Sequence, residues 1–93
     1  MDGPKPPREA RIARARFRAW HRGTREADFV VGGFFDRYHA AWDDAALDWF
    51  EELLDEQDVD ILAWALGVAA PAPRLDGPLM AALRRLDYVE MPG

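Results

Sequence analysis

Apolar side chains recur at steps of three and four in five successive runs, and each run is bounded by a glycine, a proline or a carboxylate suited to capping. That period puts one buried stripe on each of five short helices and leaves no length for a long coiled coil. The first run, Ala10, Ala13, Phe17 and Trp20, shares its helix with Arg8, Arg11, Arg14, Arg18 and Arg22, which follow similar steps on another face and are expected to be solvated. Gly23 supplies a stop and Thr24 a cap for the helix that follows. In the second run, Phe29 to Phe35 also fits a tight hairpin about Gly32 and Gly33. The stripe Val31, Phe34, Phe35, Tyr38 and Trp42 continues through both glycines, and a lone hairpin is marginal in water, so the prediction is helix. Each glycine then costs roughly 1 kcal/mol unless a close neighbour needs the space.

Asp43 or Asp44 caps the third helix, with Leu47, Phe50, Leu53 and Leu54 inward and Asp48, Glu51, Glu52 and Asp55 facing water. Asp58 opens the fourth, bearing Ile61, Leu62, Ala65 and Leu66 and ended by Gly67. Pro71 and Pro73 enforce a linker, and Gly77-Pro78 starts a fifth helix with Leu79, Ala82, Leu83 and Leu86. The expected fold is all-α, a small five-helix bundle in a single domain. Its boundaries are a disordered arm at 1–7, a helical domain at 8–88 and a frayed end at 89–93.

A chain of 93 residues builds one core and has little room for a deep substrate cavity. It has no cysteine, serine or asparagine, one threonine (Thr24), one lysine (Lys5) and two histidines (His21 and His39), so the usual nucleophiles and bases are nearly absent. No catalytic residue is expected. The lack of cysteine excludes disulfides and thiolate metal sites, and no apolar stretch approaches the ~20 residues of a membrane span. The expectation is a cytoplasmic chain that neither spans a membrane nor is exported.

Charge is segregated. Residues 1–25 hold eight basic and two acidic side chains, whereas residues 26–60 hold one basic and twelve acidic. The acidic middle would repel a polyanion, so nucleic acid is not an expected partner. Asp36, His39 and Asp43 share a helical face at i, i+3 and i+7, but such spacing arises readily on solvated faces, and no metal site is expected. Of the four tryptophans, Trp20, Trp42, Trp49 and Trp64, most should anchor the core, with Trp49 at the edge of its stripe the candidate for exposure.

The segment Arg22-Gly23-Thr24-Arg25-Glu26-Ala27-Asp28 joins a helix end, a glycine turn and a helix start with both signs of charge. A bare Gly23 lets a partner backbone approach, while Arg22, Arg25 and Glu26 offer fork donors and an acceptor; a plain helix stop with N-terminal carboxylates explains the same residues equally well. This run resembles the Arg-Gly-x-x-Glu signature of the SdhE family, relatives of the mitochondrial succinate dehydrogenase assembly factor. Asp58-x-Asp60-x-Leu62-x-Trp64-x-x-Gly67 is similar to that family's acidic, tryptophan-containing fourth helix. The resemblance implies a five-helix assembly factor, monomeric when free. It would bind the flavoprotein subunit of succinate dehydrogenase, and by extension its fumarate reductase relative, and promote covalent attachment of FAD to a histidine of that subunit. FAD would belong to the client and not be bound tightly by this chain. The resemblance places Arg22, Gly23 and Glu26 on the client-binding surface, with Arg25 and Asp28 beside them. The alternative is a small interaction protein acting as an antitoxin or regulator.

Overall fold

Part of the basic first segment and part of the acidic second meet across a helix pair. In the computed structural model, which describes residues 6–89, helix α1 (Arg8–Trp20) lies beside α3 (Asp44–Leu54). Arg8 pairs with Asp44 at 2.9 Å, Arg11 with Asp48 at 2.5 Å and Glu51 at 2.7 Å, and Arg18 with Asp55 at 2.8 Å. Partner numbers rise together, so the two helices run parallel, in a register set by these pairs. The expectation that both charged faces look into water holds for most of these side chains, which stay at least partly exposed while they pair; Arg11 is the exception and is buried.

The first helix also turns most of its expected stripe outward, Trp20 alone staying half-buried against Gly32. Ala10 and Ala13 are exposed and Phe17 is 62% exposed, while Arg11, Ala15 and Ala19 are buried. Alanines at 15 and 19 present almost no bulk, which lets α2 (Arg25–Tyr38) approach closely. Arg11 fills the remaining position with its stem and keeps its guanidinium bonded to two carboxylates, chiefly Glu51, which raise its affinity for the proton above the ordinary value.

Helix α2 is continuous through the glycine pair, as the stripe predicts. A Cβ on Gly32 would stand 2.3–2.8 Å from ring atoms of Trp20, and one on Gly33 would stand 3.3 Å from Tyr88. The first glycine therefore gives Trp20 a seat on α2. The helix ends at Tyr38, short of the expected Trp42, and tightens into a 3-10 turn over His39–Ala41. His39 stacks on Phe35 with ring centroids 4.3 Å apart and Nδ1 bonds to the Phe35 carbonyl at 2.8 Å.

Asp43 caps α3, accepting from the Ala46 amide at 2.9 Å. Helix α4 (Asp58–Ala65) ends at Leu66 and Gly67, where Gly67 has φ +74° and Val68 N–H reaches back to the Ala63 carbonyl at 2.9 Å. After a 3-10 turn at Pro73–Leu75, α5 (Pro78–Arg85) starts on proline and stops at Leu86 in the left-handed region, φ 55°, where the sequence carries no glycine. Leu66, expected inside, is 63% exposed, and Trp64 is buried instead. The five helices bear out the all-α bundle, and no strand occurs among the described residues. For residues 1–5 and 90–93, the expected disorder and fraying lie outside those described.

The core is aromatic. Phe34 meets Tyr38, Trp42, Trp49, Phe50 and Tyr88 with centroids 5.2–6.1 Å apart. Trp49 is half-buried, and its indole donates to the Leu75 carbonyl at 2.9 Å, so the candidate for exposure holds down the loop before α5. Tyr88 donates to the Leu83 carbonyl at 2.8 Å, and burial, helped by Asp87, pushes its phenol pKa up.

Two outcomes follow from this packing. Replacing Asp48 and Glu51 together by alanine leaves the Arg11 charge buried without a carboxylate and should cost about 3 kcal/mol, while Arg11→Met should stay within about 1 kcal/mol of the parent; urea titration followed by circular dichroism separates the two. Gly32→Ala should destabilise by about 1 kcal/mol despite alanine's better helix propensity, because the Trp20 ring must leave its seat, and tryptophan emission should shift to the red.

Candidate functional site

Residues 21–24 make the corner between α1 and α2. His21 closes α1, its Nδ1–H donating to the Phe17 carbonyl at 2.6 Å. Gly23 sits at φ +113°, a conformation that side-chain-bearing residues rarely adopt. Thr24 caps α2 as predicted, its hydroxyl accepting from the Ala27 amide at 3.2 Å. A carboxylate one turn in completes the corner: Asp28 accepts from the Arg22 backbone amide at 2.6 Å.

The five residues singled out from the sequence divide into two sets. Arg22 turns inward, its side chain 10% exposed. Its Nε donates to Asp58 at 2.7 Å, and its two terminal nitrogens donate to the carbonyls of Leu54 at 2.8 Å and Glu56 at 2.9 Å. One guanidinium thus ties the end of α1 to the last turn of α3 and the first of α4, and every edge of its planar fork is used. Asp28 is likewise spent on the corner. Gly23, Arg25 and Glu26 face out. Among the described residues, neither the Arg25 nor the Glu26 side chain has a hydrogen bond or ion pair.

The outward set therefore offers one cation, one anion and a bare backbone within four residues. A Cβ at Gly23 would meet nothing within 4 Å, so the gap above it is open to an approaching molecule. Two shallow depressions flank the corner. One is lined by Trp20, Gly23, Thr24, Arg25, Asp28 and Phe29. The other, on the opposite side of His21, is lined by Phe17, Arg18, Arg22, Glu56, Gln57 and Asp58. Both are open, and a surface of this shape suits a protein partner better than an engulfed small molecule.

Other candidate groups are occupied locally. Asp43 caps α3, His39 holds the Phe35 carbonyl, and no cluster of three or more metal-ligating side chains occurs among the described residues. The sequence reading missed Asp58 as the partner of Arg22, a contact across 36 residues that no local period signals.

The two sets should respond differently to substitution. Arg22→Ala should cost about 3 kcal/mol in a thermal melt, since it strips partners from a carboxylate and two helix-end carbonyls. Arg25→Ala and Glu26→Ala should stay within about 0.5 kcal/mol. Gly23→Ala should fall between, at about 1–2 kcal/mol, entirely from backbone strain.

Comparison with known proteins identifies the family. The profile of a family described as "Flavinator of succinate dehydrogenase" matches residues 13–87. The "Succinate dehydrogenase assembly factor 2, mitochondrial" of Mycosarcoma maydis is 42% identical over 57 residues, covering 61% of this chain and 24% of that protein. The protein of the same name from Meyerozyma guilliermondii is 36% identical over 58 residues, 62% of this chain and 43% of the relative. The "FAD assembly factor SdhE" of Acetobacter pasteurianus is 36% identical over 58 residues, 62% of this chain and 53% of the relative. The matched stretch thus spans between about a quarter and about half of these relatives' own length. With the profile matched from the middle of α1 to the end of α5, the chain belongs to the succinate dehydrogenase flavinator family.

Proposed function

We propose that this protein is an FAD assembly factor, which binds the flavoprotein subunit of succinate dehydrogenase and promotes covalent attachment of FAD to it. The observation that carries the reading is the division at the α1–α2 corner: Arg22 and Asp28 brace it from within, and Gly23, Arg25 and Glu26 are left facing out with no partner among the described residues. Membership of the flavinator family, and the names of the relatives, supply the class of partner.

In this reading the covalent chemistry belongs to the flavin and its client, and this chain contributes position. A rigid corner that docks on the folding flavoprotein can hold the client histidine and the flavin at reacting distance, which replaces an entropic search by a bound geometry. Arg25 and Glu26 meet groups of opposite charge on the client, and Gly23 lets the client backbone come close. Arg22 acts one step back, by fixing the direction in which those three residues point. The near absence of nucleophiles fits a helper that is not itself an enzyme. The client's fumarate reductase relative is a second partner under the same recognition, and the protein works as a monomer in the cytoplasm.

The test is titration with the apo flavoprotein subunit, followed by in-gel flavin fluorescence of the client made with and without this protein. Wild-type protein should bind and raise covalent flavin. Glu26→Ala should weaken binding by about 2–5 kcal/mol if its carboxylate meets a buried cation on the client, with stability unchanged. A client that acquires its full complement of covalent flavin without this protein would overturn the proposal.

A further inference from the structure

Phe17 is a large aromatic side chain left 62% exposed on a helix whose neighbouring turns are well packed. Its ring lies flat on His21, with centroids 4.0 Å apart and planes 15° from parallel. The histidine is itself fixed by its bond to the Phe17 carbonyl. The pair is thus held in one arrangement before any partner arrives, although the phenyl ring forgoes the burial that a core position provides. Rigid, exposed aromatics of this kind make effective anchors, because little rotamer freedom remains to be lost on binding.

Position and charge say what the anchor would meet. His21 lies between the two depressions of the corner and borders both. Phe17 stands one turn before it, with exposed Ala10 and Ala13 continuing the same side of α1 toward its start. Arg14 lies one turn before Phe17, and Arg25 lies just past Gly23; both are exposed and neither is in an ion pair among the described residues. The carboxylates at the other edge, Glu56 and Asp58, are already paired with Arg74 and Arg22. The exposed cations Arg14 and Arg25 thus flank the aromatic pair, with Glu26 beyond Arg25 and the Asp28 carboxylate held to the Arg22 backbone amide.

We propose that Phe17 and His21 are the apolar anchor of the client-binding surface, and that the client segment seated on them carries an apolar or aromatic side chain flanked by carboxylates. This rests on the assembly-factor reading and extends its contact surface by about two turns along α1. The carboxylates answer Arg14 and Arg25, while the apolar side chain covers the phenyl ring and excludes water from the neighbouring charge contacts.

The experiment measures binding of the full chain to the apo flavoprotein subunit by calorimetry, at low and high salt, for wild type, Phe17→Ala, Phe17→Tyr and Arg14→Glu. Both positions are exposed, so melting curves should coincide with that of the parent. Phe17→Ala should weaken binding at least tenfold and Phe17→Tyr by less than about threefold, because the ring and its stacking survive. Arg14→Glu should weaken binding more at low salt than at high salt. Wild-type binding with Phe17→Ala within twofold of it overturns the anchor and leaves the assembly-factor reading standing. Absence of binding by the wild type overturns both.

Discussion

The register between α1 and α3 is set by ion pairs, and the rest of the fold is arranged around it. Arg8, Arg11 and Arg18 meet carboxylates spaced along α3, and Arg22 finishes the series by bonding the carbonyls at the end of α3 and Asp58 at the start of α4. Most of these pairs are exposed and individually contribute little, roughly 0–1 kcal/mol. Their collective effect is specificity. A one-turn slip of α1 along α3 would separate the pairs and leave the Arg11 charge buried without a partner, which is a far larger penalty than the loss of any surface pair.

That register also fixes where the first helix ends. With α1 held against α3, Trp20 falls over Gly32 of α2, and the chain must reverse within residues 21–24. Gly23 makes the reversal possible through its positive φ, while Thr24 and Asp28 satisfy amides that the turn would otherwise leave bare. The same constraint that builds the bundle therefore builds the corner. Residues drawn inward to brace it cannot also reach a partner, which is why the motif separates into a supporting pair and an outward trio.

The aromatic core is organised on α2. Phe34 touches rings from α3, from the turn after α2 and from the segment after α5, and Phe35 joins the same cluster through Trp42 and Phe50. This concentration leaves α1 to contribute small residues and charge. A chain whose aromatic core is gathered around α2 and α3 can leave Phe17 outside without losing that core.

Much of this was legible in the sequence. Five helical runs, Thr24 as a cap, Asp43 or Asp44 as another and a helix through Gly32 and Gly33 all followed from period and local chemistry, because capping and turn formation involve residues within four of one another. The resemblance of residues 22–28 likewise pointed to the family. What the sequence left open was the facing of the elements. On α1, alanines at 10 and 13 look the same as alanines at 15 and 19, and Phe17 tilts any hydrophobic count toward the wrong side. The balance is decided by acidic residues about 36 to 40 positions away, whose pairing with arginine draws Arg11 inward and sets α1 against α3 with Ala15 and Ala19 inside. The inward turn of Arg22 has the same origin, contacts made only after distant segments meet. Local backbone preference determined the helices and their ends; tertiary pairing of opposite charges decided which sides they show, and so which part of the corner is left for a partner.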